Sequence, residues 1–95
     1  MAVGRAERWT ERLPKVVAAF GDDAKTLRAV EKLFELLELA WHDAYNEITP
    51  SEHIVDEILV CSQGTLGGLI EAARVAVVDR RDLHVWAGAL RAPPA

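Results

Sequence analysis

Apolar residues recur at every third or fourth position over much of the chain, and the clearest series lies between residues 22 and 47. This is the spacing of one face of an α-helix. Asp22 or Asp23, directly after Gly21, can cap the first turn by accepting hydrogen bonds from free backbone N–H groups. The pattern predicts one long helix whose buried face is formed by Leu27, Val30, Phe34, Leu37, Trp41, Ala44 and Ile48.

The middle of this helix is apolar around most of its circumference. Between Leu33 and Trp41 only Glu35 and Glu38 are clearly polar. A helix that is apolar on most sides needs cover on most sides. We therefore expect the long helix either at the centre of a bundle or at the seam of a dimer.

The start of a second helix is predicted by the segment Thr49-Pro50-Ser51-Glu52, which has the form of a capping box. Thr49 would be the cap, Pro50 the first helical residue, and Glu52 the acidic residue three positions after the cap. This helix is expected to run to about Ser62, with Gly64 as the left-handed residue beyond its end. Its predicted buried residues are Ile54, Val55, Ile58, Leu59 and Cys61.

The last third of the chain predicts one helix or two. Thr65 can cap a helix whose buried side would be Leu66, Leu69, Ile70, Ala73, Ala76 and Val77. After residues 79–82 helical spacing resumes at Leu83, either as a continuation or as a short last helix capped by Asp82.

The first twenty residues also show helical spacing, from Ala6 to Phe20, interrupted at Pro14. That proline either kinks one helix or starts a second. The whole pattern predicts an all-α fold, a compact bundle of four to five helices with one long central helix. It would be a single domain over residues 1–95, with short disordered ends at about 1–4 and 92–95.

The composition predicts that the protein binds a partner. Hydrophobic residues make up 51% of the 95 residues, which is high for so small a chain, so we expect apolar surface left over after folding. The net charge of -4 disfavours nucleic acid and anionic lipid as partners. The one cysteine, Cys61, lies on an apolar stripe, so we expect an inert thiol. The sequence shows neither an apolar signal segment nor a membrane-spanning segment, and a single cysteine does not indicate an oxidising compartment. We therefore expect a cytoplasmic protein without membrane contact.

The first functional hypothesis is a non-enzymatic protein–protein interaction or homo-oligomerisation module without a cofactor. Its partner would be a second copy of the chain, as a homodimer, or another protein. The candidate interface is the side of the long helix opposite the stripe of Phe34, Leu37 and Trp41. Its residues are Leu33, Leu36, Leu39 and Ala40.

A metal site is a further hypothesis, based on two pairs of residues with four-residue spacing. Glu38 and His42 form one pair, and His53 and Glu57 form the other. Each pair shares a helix face, so two pairs on facing helices could bind a metal ion. The alternative is a solvated polar face, because Glu38 and His42 lie away from the apolar stripe of their helix.

The segment Ser62–Ile70, which follows a short helix, resembles the turn and recognition helix of a helix-turn-helix DNA-binding motif. The core positions of that motif would be Val55, Leu59, Cys61, Leu66 and Leu69.

The resemblance implies a DNA-binding regulator that uses Gln63 and Thr65 to contact DNA. The chain differs from the motif at two strict positions. Val60 stands where the motif usually has glycine, and Asp56 stands where it usually has alanine. No basic patch lies beside Gln63, so phosphate contacts would be few.

Overall fold

The computed structural model of the chain describes residues 4–92. Within this range the chain is an all-helical bundle, as predicted, and no helix there is both long and apolar enough to cross a membrane. Residues 1–3 and 93–95, most of the ends expected to be disordered, lie outside the described residues. The helices are α1 (Arg5–Phe20), α2 (Ala24–Tyr45), α3 (Glu52–Ser62), α4 (Leu66–Val78) and α5 (Arg80–Arg91).

The longest helix, α2, begins as its sequence predicts. The Asp23 carboxylate accepts a hydrogen bond from the backbone N–H of Thr26 at 3.0 Å, and α2 ends where Asn46 adopts a left-handed conformation. Ala44 and Ile48, which were predicted to be buried, are exposed. For Ile48 the reason is that α2 ends before it, so the helical period no longer applies.

α3 begins two residues later than the capping-box pattern suggests. The Ser51 hydroxyl, not that of Thr49, accepts a hydrogen bond from the N–H of Ile54. The Thr49 hydroxyl instead accepts a hydrogen bond from the guanidinium of Arg12 at 3.0 Å, and Thr49 lies outside the helix. α3 contacts α1, α4 and α5, so it is enclosed on several sides.

The turn between α3 and α4 uses two residues with positive φ, Gln63 at 51° and Gly64 at 75°. A Cβ on Gly64 would lie 2.8 Å from the carbonyl oxygen of Ala19, so this turn packs closely on the end of α1. The prediction of a left-handed Gly64 is confirmed. Thr65 caps α4, also as predicted, because its hydroxyl accepts a hydrogen bond from the N–H of Gly68 at 2.9 Å.

The two helices of the last third are separate. Asp79 separates α4 from α5 and has an extended backbone conformation. Its carboxylate caps α5 by accepting a hydrogen bond from the N–H of Arg81, so the expected cap at Asp82 is wrong. The Tyr45 hydroxyl donates to the carbonyl of Ala76 at 2.7 Å and accepts from the N–H of Arg80 at 3.0 Å, which ties the α4–α5 joint to α2. At the other end of the chain, Pro14 lies within a single helix, α1.

The side of α1 that faces α2 and α3 carries several ion pairs. The buried guanidinium of Arg12 donates to Glu52 at 3.0 Å and lies 3.5 Å from Glu38. Arg8 donates to the same Glu38 carboxylate at 2.7 Å, and Lys15 contacts Glu52 at 2.9 Å. α1 is thus joined to the bundle by buried and half-buried charges as well as by apolar packing.

Candidate functional site

Two leucines on the outer side of α2 are exposed. Leu36 is 62% exposed and Leu39 is 58% exposed, and the two lie one helical turn apart. Leu33 and Ala40 are half-buried, because α4 packs beside them. Of the four predicted interface residues, two are therefore open to solvent and two form the margin toward α4.

The exposed apolar surface continues from α2 onto α4. Ile70 is 53% exposed and Val78 is 72% exposed, and both line an open groove with Leu36. We call Leu36, Leu39, Ile70 and Val78 the apolar face. The groove is lined by Leu33, Leu36, Leu37, Ala40, Ile70, Ala73, Arg74, Val77 and Val78.

The residues of α4 in this surface correct the sequence prediction. Leu66 and Ile70 were expected in the core and are exposed, whereas Leu69 and Ala76 are buried as expected. The helical period places Ile70 at the edge of the buried stripe of α4. Whether this edge is covered depends on the position of α2.

Opposite charges flank the apolar part of α2. Lys32 lies four positions before Leu36, and Asp43 lies four positions after Leu39. Both are exposed, and steps of four, three and four keep all four residues on one side of the helix. A cation and an anion thus lie at equal distances from the centre of the two leucines.

The predicted pair of Glu38 and His42 does not form a ligand site. Glu38 is buried and accepts hydrogen bonds from Arg8, whereas His42 is exposed. Burial acts to raise the pKa of Glu38, but hydrogen bonds from Arg8 and Thr49 and the charges of Arg8 and Arg12 outweigh it and lower the pKa below its ordinary value. The Glu38 carboxylate is therefore an ionised partner of α1.

The other predicted pair, His53 and Glu57, lies on α3 and acquires a third residue from α5. The Nε2 atom of His53 lies 3.6 Å from Oε1 of Glu57, and Nδ1 of His84 lies 2.7 Å from Oε2 of Glu57. One donor atom from each of the three residues lies within 4.8 Å of the other two. Sequence reasoning missed His84, because nothing in its local pattern shows that α5 packs beside this turn of α3.

The segment that resembles a helix-turn-helix motif contains a turn at Gln63–Thr65, between α3 and α4. Val60, which stands where the motif usually has glycine, lies inside α3 and not in this turn. Gln63 and Thr65 are exposed, but the Thr65 hydroxyl is used as the cap of α4. A Cβ on Gly68 would collide with the carbonyl oxygen of Ser62, so tight packing explains this glycine.

Cys61 is buried on the apolar side of α3. Burial raises the pKa of its thiol, and the nearby charge of Glu57 raises it further. The thiol is thus protonated at neutral pH and a poor nucleophile.

Comparison of the chain with protein-family models, with curated proteins and with solved structures finds no match.

Proposed function

We propose that the chain is a homodimerisation module in which the apolar face packs against the same face of a second copy. The observation that carries the proposal is the pair of exposed leucines, Leu36 and Leu39, at the middle of the longest helix. Contiguous exposed apolar surface is unusual on a monomer and is typical of a protein–protein interface.

The extent of the face favours a helix-on-helix contact. Leu36 and Leu39 are open on α2, and Ile70 and Val78 are open on α4 beside Leu36. A partner that lies across both helices would remove all four side chains from water. Each such side chain contributes about 1.5–3 kcal/mol when it becomes fully buried.

The charges beside the leucines favour a second copy as that partner. A dimer with twofold symmetry brings each surface against itself, so a residue before the axis meets a residue after it. If the axis passes between Leu36 and Leu39 and the two α2 helices run antiparallel, Lys32 of one copy faces Asp43 of the other, twice. A face with a cation and an anion at equal distances from its centre is complementary to itself.

The decisive measurement is the molecular mass of the untagged protein in solution, by sedimentation equilibrium over a range of concentrations. We expect a concentration-dependent mass that approaches twice the 10.5 kDa of the chain. Leu36→Glu should weaken dimerisation about 100-fold, because each dimer loses two buried leucines and gains two buried carboxylates.

The matched control is Val85→Glu. Val85 is 71% exposed, like Leu36, but it lies on α5 outside the apolar face. This variant should dimerise like the unchanged protein. A monomeric mass at every concentration would overturn the proposal, and so would equal effects of Leu36→Glu and Val85→Glu.

A further inference from the structure

We infer that His53, Glu57 and His84 form a binding site for a divalent transition-metal ion of the zinc class, with a fourth coordination position open to solvent. The three residues come from two helices that pack together, α3 and α5. His53 and Glu57 are one helical turn apart on α3, and His84 reaches the same carboxylate from α5.

The distances fit a metal ion after small side-chain rotations. Ligand atoms about 2.0–2.1 Å from a tetrahedral zinc ion lie about 3.3 Å from one another. Here Nε2 of His53 and Oε1 of Glu57 are 3.6 Å apart, and Nδ1 of His84 and Oε2 of Glu57 are 2.7 Å apart. The shorter distance is a hydrogen bond, whose proton would leave when a metal takes its place.

The burial of Glu57 is the second observation that points to a ligand. Its residue is 1% exposed, and among the residues that the structure describes its Oε1 atom has no hydrogen-bond partner. A buried carboxylate oxygen without a partner destabilises the fold. Oε1 lies toward the imidazole of His53, which is where a metal ion shared by the two side chains would satisfy it.

The donor set selects the class of ion. Two imidazole nitrogens and one carboxylate oxygen suit zinc and neighbouring transition ions, whereas calcium and magnesium take oxygen ligands. The two histidines are about two-thirds exposed, so a bound ion would be open to water on one side. Three protein ligands with one open position differ from a structural zinc site, which is closed by four.

The test is direct zinc binding to the full chain without an affinity tag, by calorimetric titration. We expect one zinc ion per chain and a melting temperature that rises by at least about 5 °C when the site is saturated. With cobalt in place of zinc, the visible absorption should be that of a tetrahedral ion.

Single substitutions assign the ligands. His53→Ala, His84→Ala and Glu57→Gln should each weaken zinc binding at least about 100-fold, because even loss of an outer-shell partner costs 10- to 100-fold. Both histidines are exposed, so their alanine variants should fold, and circular dichroism checks this. The control is His42→Ala, which removes the remaining histidine of the chain, exposed on α2, and should bind zinc unchanged.

Two kinds of result would overturn the inference. One is the absence of saturable zinc binding to the unchanged protein, in which case the cluster is a histidine–carboxylate contact that holds α5 to α3. The other is binding that persists in both His53→Ala and His84→Ala, or that disappears in His42→Ala.

Discussion

The Nδ1 atom of His84 lies 2.7 Å from Oε2 of Glu57, although the two residues are 27 positions apart and on different helices. This contact uses one oxygen of a buried carboxylate and leaves the other, within the part of the chain that the structure describes, without a hydrogen bond. Burial of a polar group with unused hydrogen-bonding capacity opposes folding. We therefore expect the buried Glu57 carboxylate to lower the stability of the metal-free protein.

Replacement of Glu57 by methionine should test whether the buried carboxylate lowers the free energy of unfolding. Methionine has a similar volume and no charge, and the histidines that lose their partner are exposed and can be solvated. We expect Glu57→Met to leave the free energy of unfolding of the metal-free protein unchanged or to raise it by about 1 kcal/mol. Urea denaturation of both proteins at one protein concentration measures this difference in the free energy of unfolding. A loss of more than about 2 kcal/mol would show that the carboxylate supports the fold.

Acid should loosen the attachment of α1. The pKa of Glu38 is lowered in the folded protein, so ionised Glu38 contributes stability that is fully present above its unfolded pKa of about 4.3 and is lost as the pH falls through its folded pKa. We expect the free energy of unfolding to decrease below about pH 4.

The matched variant for this prediction is Glu38→Gln, which should be about 3 kcal/mol less stable at neutral pH because buried Arg12 loses a charged neighbour. Its stability should fall less steeply in acid, since the titrating group is gone. Equal slopes in the two proteins would mean that other carboxylates, such as Glu52, whose pKa is also lowered, dominate the acid response.

Charge exchange tests the antiparallel arrangement of the proposed dimer. Lys32→Glu alone should weaken dimerisation about fivefold, because it places like charges at two symmetric positions worth up to about 1 kcal/mol in total. Asp43→Lys alone should do the same. The double variant should recover the affinity of the unchanged protein, as judged by sedimentation equilibrium. Lys25→Glu, farther along the same helix, is the control, and failure of the double variant to recover would exclude this register.

Two adjacent glycines should respond in opposite directions to alanine. A Cβ on Gly68 would collide with the carbonyl oxygen of Ser62, whereas a Cβ on Gly67 meets nothing within 4 Å. Gly67→Ala should therefore stabilise the protein by about 0.5 kcal/mol, through the helix propensity of alanine, and Gly68→Ala should destabilise it by about 2 kcal/mol or more. Thermal unfolding of both variants measures the two changes in stability. Similar effects of the two substitutions would contradict the packing assigned to this turn.

Much of the fold was predictable because its signals are local. The spacing from Leu27 to Trp41 and the cap at Asp23 depend on neighbours within a few residues, and so does the cap at Thr65. The burial of Arg12 and the exposure of Ile70 were not predictable. Both depend on which other helix lies alongside, and a helical period specifies a face without specifying what covers it.

The candidate sites divide in the same way. The pairing of His53 with Glu57 follows from their spacing on one helix, and the excess of apolar residues around Leu36 and Leu39 can be counted in the chain. The partner of Glu38 could not be predicted, because Arg8 reaches it from 30 positions away.

The sequence by itself determined that this protein is helical, where most of its helices begin and end, and that α2 carries more apolar side chains than one face can bury. These properties arise from backbone hydrogen bonds and side-chain neighbours within one or two turns. Only the tertiary structure decided that His84 meets Glu57, that Ile70 extends the exposed surface of α2, and that Arg12 is buried. Those contacts join distant segments, and their positions depend on how the helices of residues 4–92 pack together.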